Sequence, residues 1–105
     1  MIDKKLINIA MKIILHAGDA RTFAKEAFDA AMNDDFDLAD KKLIESCKSI
    51  EEAHKIQTEV VQQEVNGTTC QFSILFTHAQ DTLMTIYTEL HLTENMIQMY
   101  KKLKK

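Results

Sequence analysis

One pair of polar side chains, His78 and Asp81, has the residue types and the spacing for chemistry. They are three residues apart in a segment with helical periodicity, so they occupy neighbouring positions on one helix face. An imidazole that titrates near neutral pH can act as a base, a metal ligand or a nucleophile. Gln80 lies beside them in the sequence. Because H-x-x-D is common by chance, the spacing alone leaves open whether His78 is functional.

The other three histidines have plainer interpretations. His16 lies beside the alanine-rich face of the first predicted helix, and His91 lies towards the end of the third. Both are expected to be surface or boundary residues. His54 falls within an apolar stripe of the second helix, which predicts a packed, hydrogen-bonded histidine.

Several classes of site have no support in the sequence. Cys47 and Cys70 are the only cysteines, and no paired Cys/His spacing suggests zinc. Cys47 falls on an apolar stripe, where a small buried hydrophobic residue is expected. Zinc takes three or four protein ligands, which no single segment supplies. No Ser-His-Asp or Cys-His arrangement and no glycine-rich phosphate loop is present.

The elements that must position His78 and Asp81 are three long helices. The chain has 105 residues, no proline and only two glycines, a composition that favours uninterrupted helices. We expect one domain over residues 1–105, with an all-α fold: an antiparallel, up-down-up three-helix bundle. Hydrophobic periodicity predicts helices at about residues 3–32, at 37–65 with Asp37 as the N-cap, and at 72–103.

The third predicted helix carries large apolar residues on two faces. The face expected to pack against the other two helices is formed by Leu75, Ala79, Leu83, Ile86, Leu90 and Ile97. The second face is formed by Ile74, His78, Asp81, Thr85, Leu92, Met96, Met99 and Leu103. A three-helix bundle needs one broad apolar face per helix. The second face therefore predicts that the third helix also packs against another copy of the chain.

Charge and hydropathy limit the kinds of partner. The formal net charge is −3, and the one basic cluster, at residues 101–105, has no interleaved aromatics of the kind that bind nucleic acid. No apolar run approaches the ~20 residues of a membrane span. The first residues lack the apolar region of a secretory signal. We therefore expect a cytoplasmic protein, with no nucleic-acid partner and no membrane insertion.

Residues 76–85, which read FTHAQDTLMT, closely resemble the active-site helix of the lactose/cellobiose IIA family of bacterial sugar phosphotransferase systems. The usual pattern of that family is H-[AG]-Q-D-H-L-M. Further similarity is found in order along the chain at residues 17–21 (AGDAR), 52–54 (EAH), 57–58 (QT) and 99–103 (MYKKL). The resemblance covers nearly the whole chain.

The resemblance implies a function and a set of site residues. Family members are three-helix subunits that form homotrimers around their third helices. They accept a phosphoryl group from the phosphocarrier protein HPr and pass it to a IIB component during uptake of sugars such as cellobiose, chitobiose or lactose. The phosphorylated residue falls on His78, attacking through Nε2. Asp81 corresponds to the residue of which three copies bind a divalent cation, expected to be Mg²⁺, at the trimer axis. Gln80 is expected to support the active-site surface.

One position departs from the family pattern. Thr82 replaces the histidine that usually follows the Asp of the motif, so any help that this histidine gives to transfer must be lost or replaced. Two alternative interpretations also apply to a helical protein of this kind. A histidine phosphotransfer domain of two-component signalling would have Lys and Gly where this chain has Asp81 and Thr82. A non-enzymatic helical adaptor would use the second face of the third helix only to bind a partner.

Overall fold

The structure, a computed structural model, describes residues 4–65 and 74–104, without the side chains at positions 61 and 63–65. It contains three α-helices: α1 at Lys4–Met32, α2 at Phe36–Val65 and α3 at Ile74–Leu103. No strand occurs in these described ranges, so the expected all-α class is confirmed. The predicted start of α3 at residue 72 lies outside the described residues, and so does Cys70. The pair Asn66-Gly67, whose residue types favour the end of a helix and so predict the stop of α2, also lies outside them.

Contacts between the helices establish their directions. Ser46 of α2 donates a hydrogen bond to the carbonyl of Ala20 in α1 at 2.7 Å, and Lys42 pairs with Glu26 at 2.9 Å. Residues earlier in α2 thus meet residues later in α1, which makes the two helices antiparallel.

The third helix runs parallel to α1 and antiparallel to α2. Arg21 of α1 pairs with Glu89, in the middle of α3, at 2.8 Å. Lys101, near the end of α3, pairs at 3.0 Å with Asp40, near the start of α2. The up-down-up topology predicted from the sequence is therefore confirmed.

The core is built from small side chains on α1 and larger ones on α3. Because alanines lie where α1 faces its neighbours, the backbones of α2 and α3 each approach that of α1 closely, and branched side chains of α3 fill the core beside them. The buried residues of the main cluster are Ala10, Ile13, Ala17, Ala20, Ala24, Ile50, Ala53, Ala79, Leu83, Ile86 and Leu90.

The buried face of α2 agrees with the predicted apolar stripe only in part, since Ile50 of that stripe is buried. Ser46, Ala53 and Val60, seven residues apart, are buried, whereas Cys47 and His54 from the predicted stripe are only half-buried. Small residues mark the line of closest approach to α1, and the larger residues of the predicted stripe border the gap towards α3.

The turn between α1 and α2 closes α1 without a glycine. Asp34 has a φ of 62°, the left-handed conformation that usually follows a helix end. Its N–H donates to the carbonyl of Ala31 at 2.9 Å, and the N–H of Asp35 donates to that of Ala30 at 2.9 Å. These two bonds form a Schellman motif, which satisfies carbonyls that the helix end would leave unpaired.

The same turn caps the start of α2. The N–H of Leu38 donates to Oδ1 of Asp35 at 3.1 Å, so Asp35 is the N-cap residue and Phe36 is the first helical residue. The prediction that Asp37 caps α2 was wrong by two residues. Three turn-favouring residues, Asn33, Asp34 and Asp35, precede Phe36 and one, Asp37, follows it. Only the backbone geometry selects the cap among them.

The side chain of Asp34 also holds the end of α3. The hydroxyl of Tyr100 donates to Oδ1 at 2.9 Å, and Lys104 lies 3.3 Å from Oδ2. The hydrogen bond from Tyr100, followed by that from Lys104, lowers the pKa of the Asp34 carboxyl below its ordinary value. In the helices as described, no stretch is long and apolar enough to cross a membrane.

Candidate active site

His78 lies near the start of α3 with its side chain exposed. All eight residues of the predicted second face are exposed, including Ile74 (78%), Leu92 (56%) and Met99 (59%). The opposite face is anchored in the core by Ala79 and Leu83, both 0% exposed. The packing of this opposite face fixes the orientation of α3 and leaves the His78 imidazole pointing away from the core. The prediction that α3 carries apolar residues on two faces, one of them packed against the other helices, is confirmed.

Asp81 is exposed one turn after His78. In the described part of the chain, neither side chain has a hydrogen bond or an ion pair. An accessible, unpartnered imidazole has its ring nitrogens available to a reactant from outside the chain, as a nucleophile requires. Gln80 and Thr82, on either side of Asp81 in sequence, are half-buried and so belong to the flanks of this exposed face.

No metal site is complete within one copy of the described residues: no three His, Cys, Asp or Glu side chains there converge to hold an ion. Asp81 offers a hard carboxylate donor of the kind that Mg²⁺ takes. It is one ligand where several are needed. The remaining donors of such a site would have to come from water or from outside this copy of the chain.

A second cluster of titratable side chains lines the groove between α2 and α3. The ring of Tyr87 lies between two imidazoles. Its centroid is 5.3 Å from that of the His54 ring, in an edge-on contact, and 4.5 Å from that of the His91 ring. The surrounding cavity measures about 200 Å³. His54 is packed as predicted, but its Nε2 has no hydrogen-bond partner among the described residues, which contradicts the hydrogen bond expected there. His16 is half-buried and His91 exposed, as expected of boundary and surface residues.

Cys47 borders the same groove. Its thiol lies 3.9 Å from a carboxylate oxygen of Glu94. Burial, and then the negative charge of Glu94, raise the pKa of the thiol, so it stays protonated at neutral pH and is a poor nucleophile. This supports the prediction that Cys47 is a packing residue. Tyr87 and Glu94 were not predicted from the sequence, although Tyr87 lies four residues before His91 and Glu94 three residues after it, which places all three on one side of α3.

A second groove, between α1 and α3, is largely apolar. Its cavity of about 340 Å³ is lined by Phe28 from α1 and by Ile86, Leu92 and Met96 from α3, among others. One end is closed by Arg21, whose Nε and guanidinium NH₂ donate to the Glu89 carboxylate at 2.8–3.0 Å. Leu92 and Met96 belong both to this groove and to the exposed apolar face of α3, so the groove and that face are continuous.

Comparison with known proteins decides the family. The family model described as PTS system, Lactose/Cellobiose specific IIA subunit matches residues 8–101, nearly the whole chain. The chain belongs to this IIA family. Its members are phosphotransferase components of the sugar phosphotransferase system, so the chain is such a component. The signalling-domain and adaptor interpretations have no support from this match.

Relatives of the IIA chain differ in the sugar that their names carry. The chain is 36% identical over 101 residues to the lichenan-specific phosphotransferase enzyme IIA component of Bacillus subtilis (strain 168), which covers 96% of this chain and 92% of that protein. It is 38% identical to the cellobiose-specific enzyme IIA from Bacillus anthracis, whose crystal structure superposes with a TM-score of 0.91 and covers 99% of this chain and 94% of that one.

A third relative is known in complex with a partner. The structure of the IIA(Chitobiose)–HPr complex of the Escherichia coli N,N′-diacetylchitobiose branch matches with a TM-score of 0.85 and 29% identity. It covers 98% of this chain and 100% of that one. The three-helix subunit fold is thus shared with IIA proteins named for different sugars.

Proposed function

We propose that this IIA chain is a cytoplasmic phosphoryl carrier, which accepts a phosphoryl group from phospho-HPr on Nε2 of His78 and passes it to a IIB component. The transfer would serve uptake and phosphorylation of a β-glucoside or disaccharide such as cellobiose, chitobiose or lactose. The observation that carries the proposal is the exposed, unpartnered imidazole of His78 on α3 of a IIA-family chain. The HPr complex of the E. coli relative supports HPr as the donor.

The chemistry is an exchange between two imidazoles. The lone pair on Nε2 of His78 attacks phosphorus, and the phosphorus–nitrogen bond of the donor breaks with its electron pair returning to the donor ring. The proton on Nδ1 of His78 stays in place and keeps Nε2 free to attack. The rate then depends on holding the two rings in line with the phosphoryl group between them. Onward transfer to IIB reverses these roles.

We also propose that three copies assemble through α3, with Mg²⁺ held by three Asp81 carboxylates at the axis and Gln80 supporting the active-site surface. The support is the exposed apolar face that surrounds Asp81 on α3. Carboxylates brought together there would repel one another and lose hydration unless compensated. A bound cation would neutralise that charge, and its hard carboxylate ligands suit magnesium.

The proposal is tested by labelling with phosphoenolpyruvate, enzyme I and HPr, followed by detection of acid-labile, alkali-stable phosphate. His78→Ala is expected to fold normally and to accept no phosphate. His91→Ala is the matched control, because it removes a second exposed histidine from the same helix and should be labelled like the wild type. Full labelling of His78→Ala would refute the assignment of the nucleophile.

A further inference from the structure

Nε2 of His78 can attack phosphorus only while it carries no proton. In the reactive neutral ring the proton is on Nδ1, and a hydrogen-bond acceptor beside Nδ1 selects that tautomer. An unconstrained imidazole more often carries its proton on Nε2, so attack through Nε2 gains from such an acceptor. The imidazole of His78 has no partner in the described part of the chain. A neighbouring side chain that can reach Nδ1 would supply the acceptor.

Thr82 lies one turn after His78 on the same side of α3. Residues four apart are neighbours on a helix surface, and Thr82 is about 40° round from His78 and about 6 Å along the axis. Side chains of a helix lean towards its N-terminus, so the Thr82 side chain extends back over the turn that carries His78. Its hydroxyl can therefore reach Nδ1, which is the ring nitrogen nearer the backbone.

The position of Thr82 between His78 and the core restricts its side chain. Ala79, which is 0% exposed, is about 100° round from His78 in the same direction as Thr82. Thr82 is half-buried, and packing leaves few conformations to a β-branched side chain. Gln80 is on the far side of the helix from His78, and Asp81 is about 60° round in the other direction, where its carboxylate is already proposed as a ligand of the cation. Thr82 is thus the polar neighbour on the packed side of His78.

The hydroxyl of Thr82 is not used to hold the helix. Thr22, Thr88 and Thr93 each donate to the carbonyl four residues earlier, at 2.8–3.2 Å, as threonines in helices commonly do. Within the described residues, Thr82 makes no such bond to the carbonyl of His78. Its oxygen is therefore available to Nδ1–H. Hydrogen bonds of an active site often form fully only when the reactants are in place.

We infer that Thr82 is a positioning residue for the phosphorylation of His78, because its Oγ1 accepts a hydrogen bond from Nδ1–H and so keeps Nε2 unprotonated. The inference rests on the proposed function of His78. During transfer, the Nε2 lone pair forms the new bond to phosphorus. The bond between phosphorus and the donor nitrogen breaks, with its electron pair returning to that nitrogen, and the Nδ1 proton stays on the ring.

The bond to Thr82 has its largest effect in the transition state. The ring of His78 gains positive charge as the bond to phosphorus forms, and a hydrogen bond from a charged donor is stronger than one from a neutral donor. An interaction that strengthens in the transition state raises kcat rather than lowering KM. The hydroxyl is a departure from the family pattern, which has histidine at this position.

Nitrogen-15 NMR tests the tautomer without any transfer. Two-bond nitrogen–proton correlation spectra separate the two neutral tautomers, and the signals of His78 are identified by their loss in His78→Ala. At a pH where the ring is neutral, His78 of the wild type should be mainly in the Nδ1–H form. Thr82→Val keeps the side-chain shape without the hydroxyl, and should shift the tautomer ratio roughly threefold to tenfold towards Nε2–H. Thr82→Ser should keep the wild-type ratio, and so should Thr88→Val, which removes a hydroxyl about 15 Å from His78 along α3.

Kinetics test the same hydroxyl during transfer. Each variant is phosphorylated by phospho-HPr and, separately, by phosphoramidate, a small donor that makes no protein contact. Thr82→Val should lower kcat roughly tenfold with both donors and leave the KM for phospho-HPr within about twofold of the wild type. Thr82→Ser and Thr88→Val should match the wild type within about twofold with both donors.

The outcomes separate this inference from the proposed function. An unchanged tautomer ratio in Thr82→Val, or a wild-type His78 that is mainly in the Nε2–H form, would overturn the inference and leave the proposed function intact. A raised KM with a normal kcat would overturn it too, and so would a Thr82→Ser variant as slow as Thr82→Val. A wild-type chain that phospho-HPr does not label would refute the proposed function.

Discussion

Ser46 provides the most direct test of how α2 is held on α1. Its side chain is 0% exposed, and its hydroxyl donates to the Ala20 carbonyl at 2.7 Å. A net hydrogen bond contributes about 1 kcal/mol, and the lost packing of a buried hydroxyl adds up to ~1 kcal/mol. Ser→Ala in a helix interior gains about 0.5 kcal/mol from propensity. Ser46→Ala should therefore lower the free energy of unfolding by roughly 0.5–1.5 kcal/mol.

Ser49 supplies the matched control. It lies on the same helix, is half-buried and makes no hydrogen bond among the described residues. Ser49→Ala should be neutral or stabilising by up to about 0.5 kcal/mol. The difference between the two variants, about 1–2 kcal/mol, isolates the buried interaction because helix propensity cancels.

The measurement is urea unfolding followed by circular dichroism at one fixed protein concentration, since association would shift the apparent stability. The m-value should not change, because the surface exposed on unfolding is the same. A difference below about 0.3 kcal/mol between the variants, within the error of extrapolation, would show that the Ser46–Ala20 bond does not hold the helices together.

Three further predictions concern charge. The pKa of the Asp34 carboxyl is lowered in the folded protein. The carboxylate therefore stabilises the fold at pH values above its ordinary pKa of 3.8, and this stabilisation is lost as the pH falls through the folded-state pKa. In thermal melts from pH 6 to pH 2, Asp34→Asn should reduce the loss of stability at acid pH. The Arg21–Glu89 pair is exposed, so a double-mutant cycle should give a coupling of at most about 1 kcal/mol, falling in high salt; a larger, salt-independent coupling would contradict this. Chelation should weaken assembly of the wild type but not of Asp81→Leu in light scattering, and a wild-type monomer without metal at micromolar concentration would refute the trimer and its ion together.

The two faces of α3 could be predicted because their pattern is unambiguous. Ala79, Leu83 and Ile86 recur at helical spacing, and so do Ile74 and His78 on the other side. For both sets, hydrophobic periodicity alone predicts which face of the helix the residues occupy. The exposure of His78 follows directly from its place in the second set.

The face of α2 could not be predicted as well, because the buried positions there are decided by backbone distance. Ser46 and Ala53 are buried where α1 presents alanines, and a hydrophobicity pattern favours the larger Cys47 and His54 instead. The N-cap was missed for a related reason. Asp35 and Asp37 are chemically equivalent caps, and the left-handed conformation of Asp34 determines which one meets the helix start.

Both the docking of a phosphoryl carrier and the assembly of several copies would use α3. The two contacts can lie at different angles around the axis of this helix. His78 and Glu89 are eleven residues, or three turns, apart, so they share the side that faces α1, where Glu89 meets Arg21. Asp81 is about 60° farther round, away from α1. A copy that packs on the Asp81 side can cover Asp81 and Met99, which lie at the same angle on α3, and leave the His78 imidazole accessible from the side of α1. An exposed nucleophile can therefore coexist with a stable assembly on a single helix.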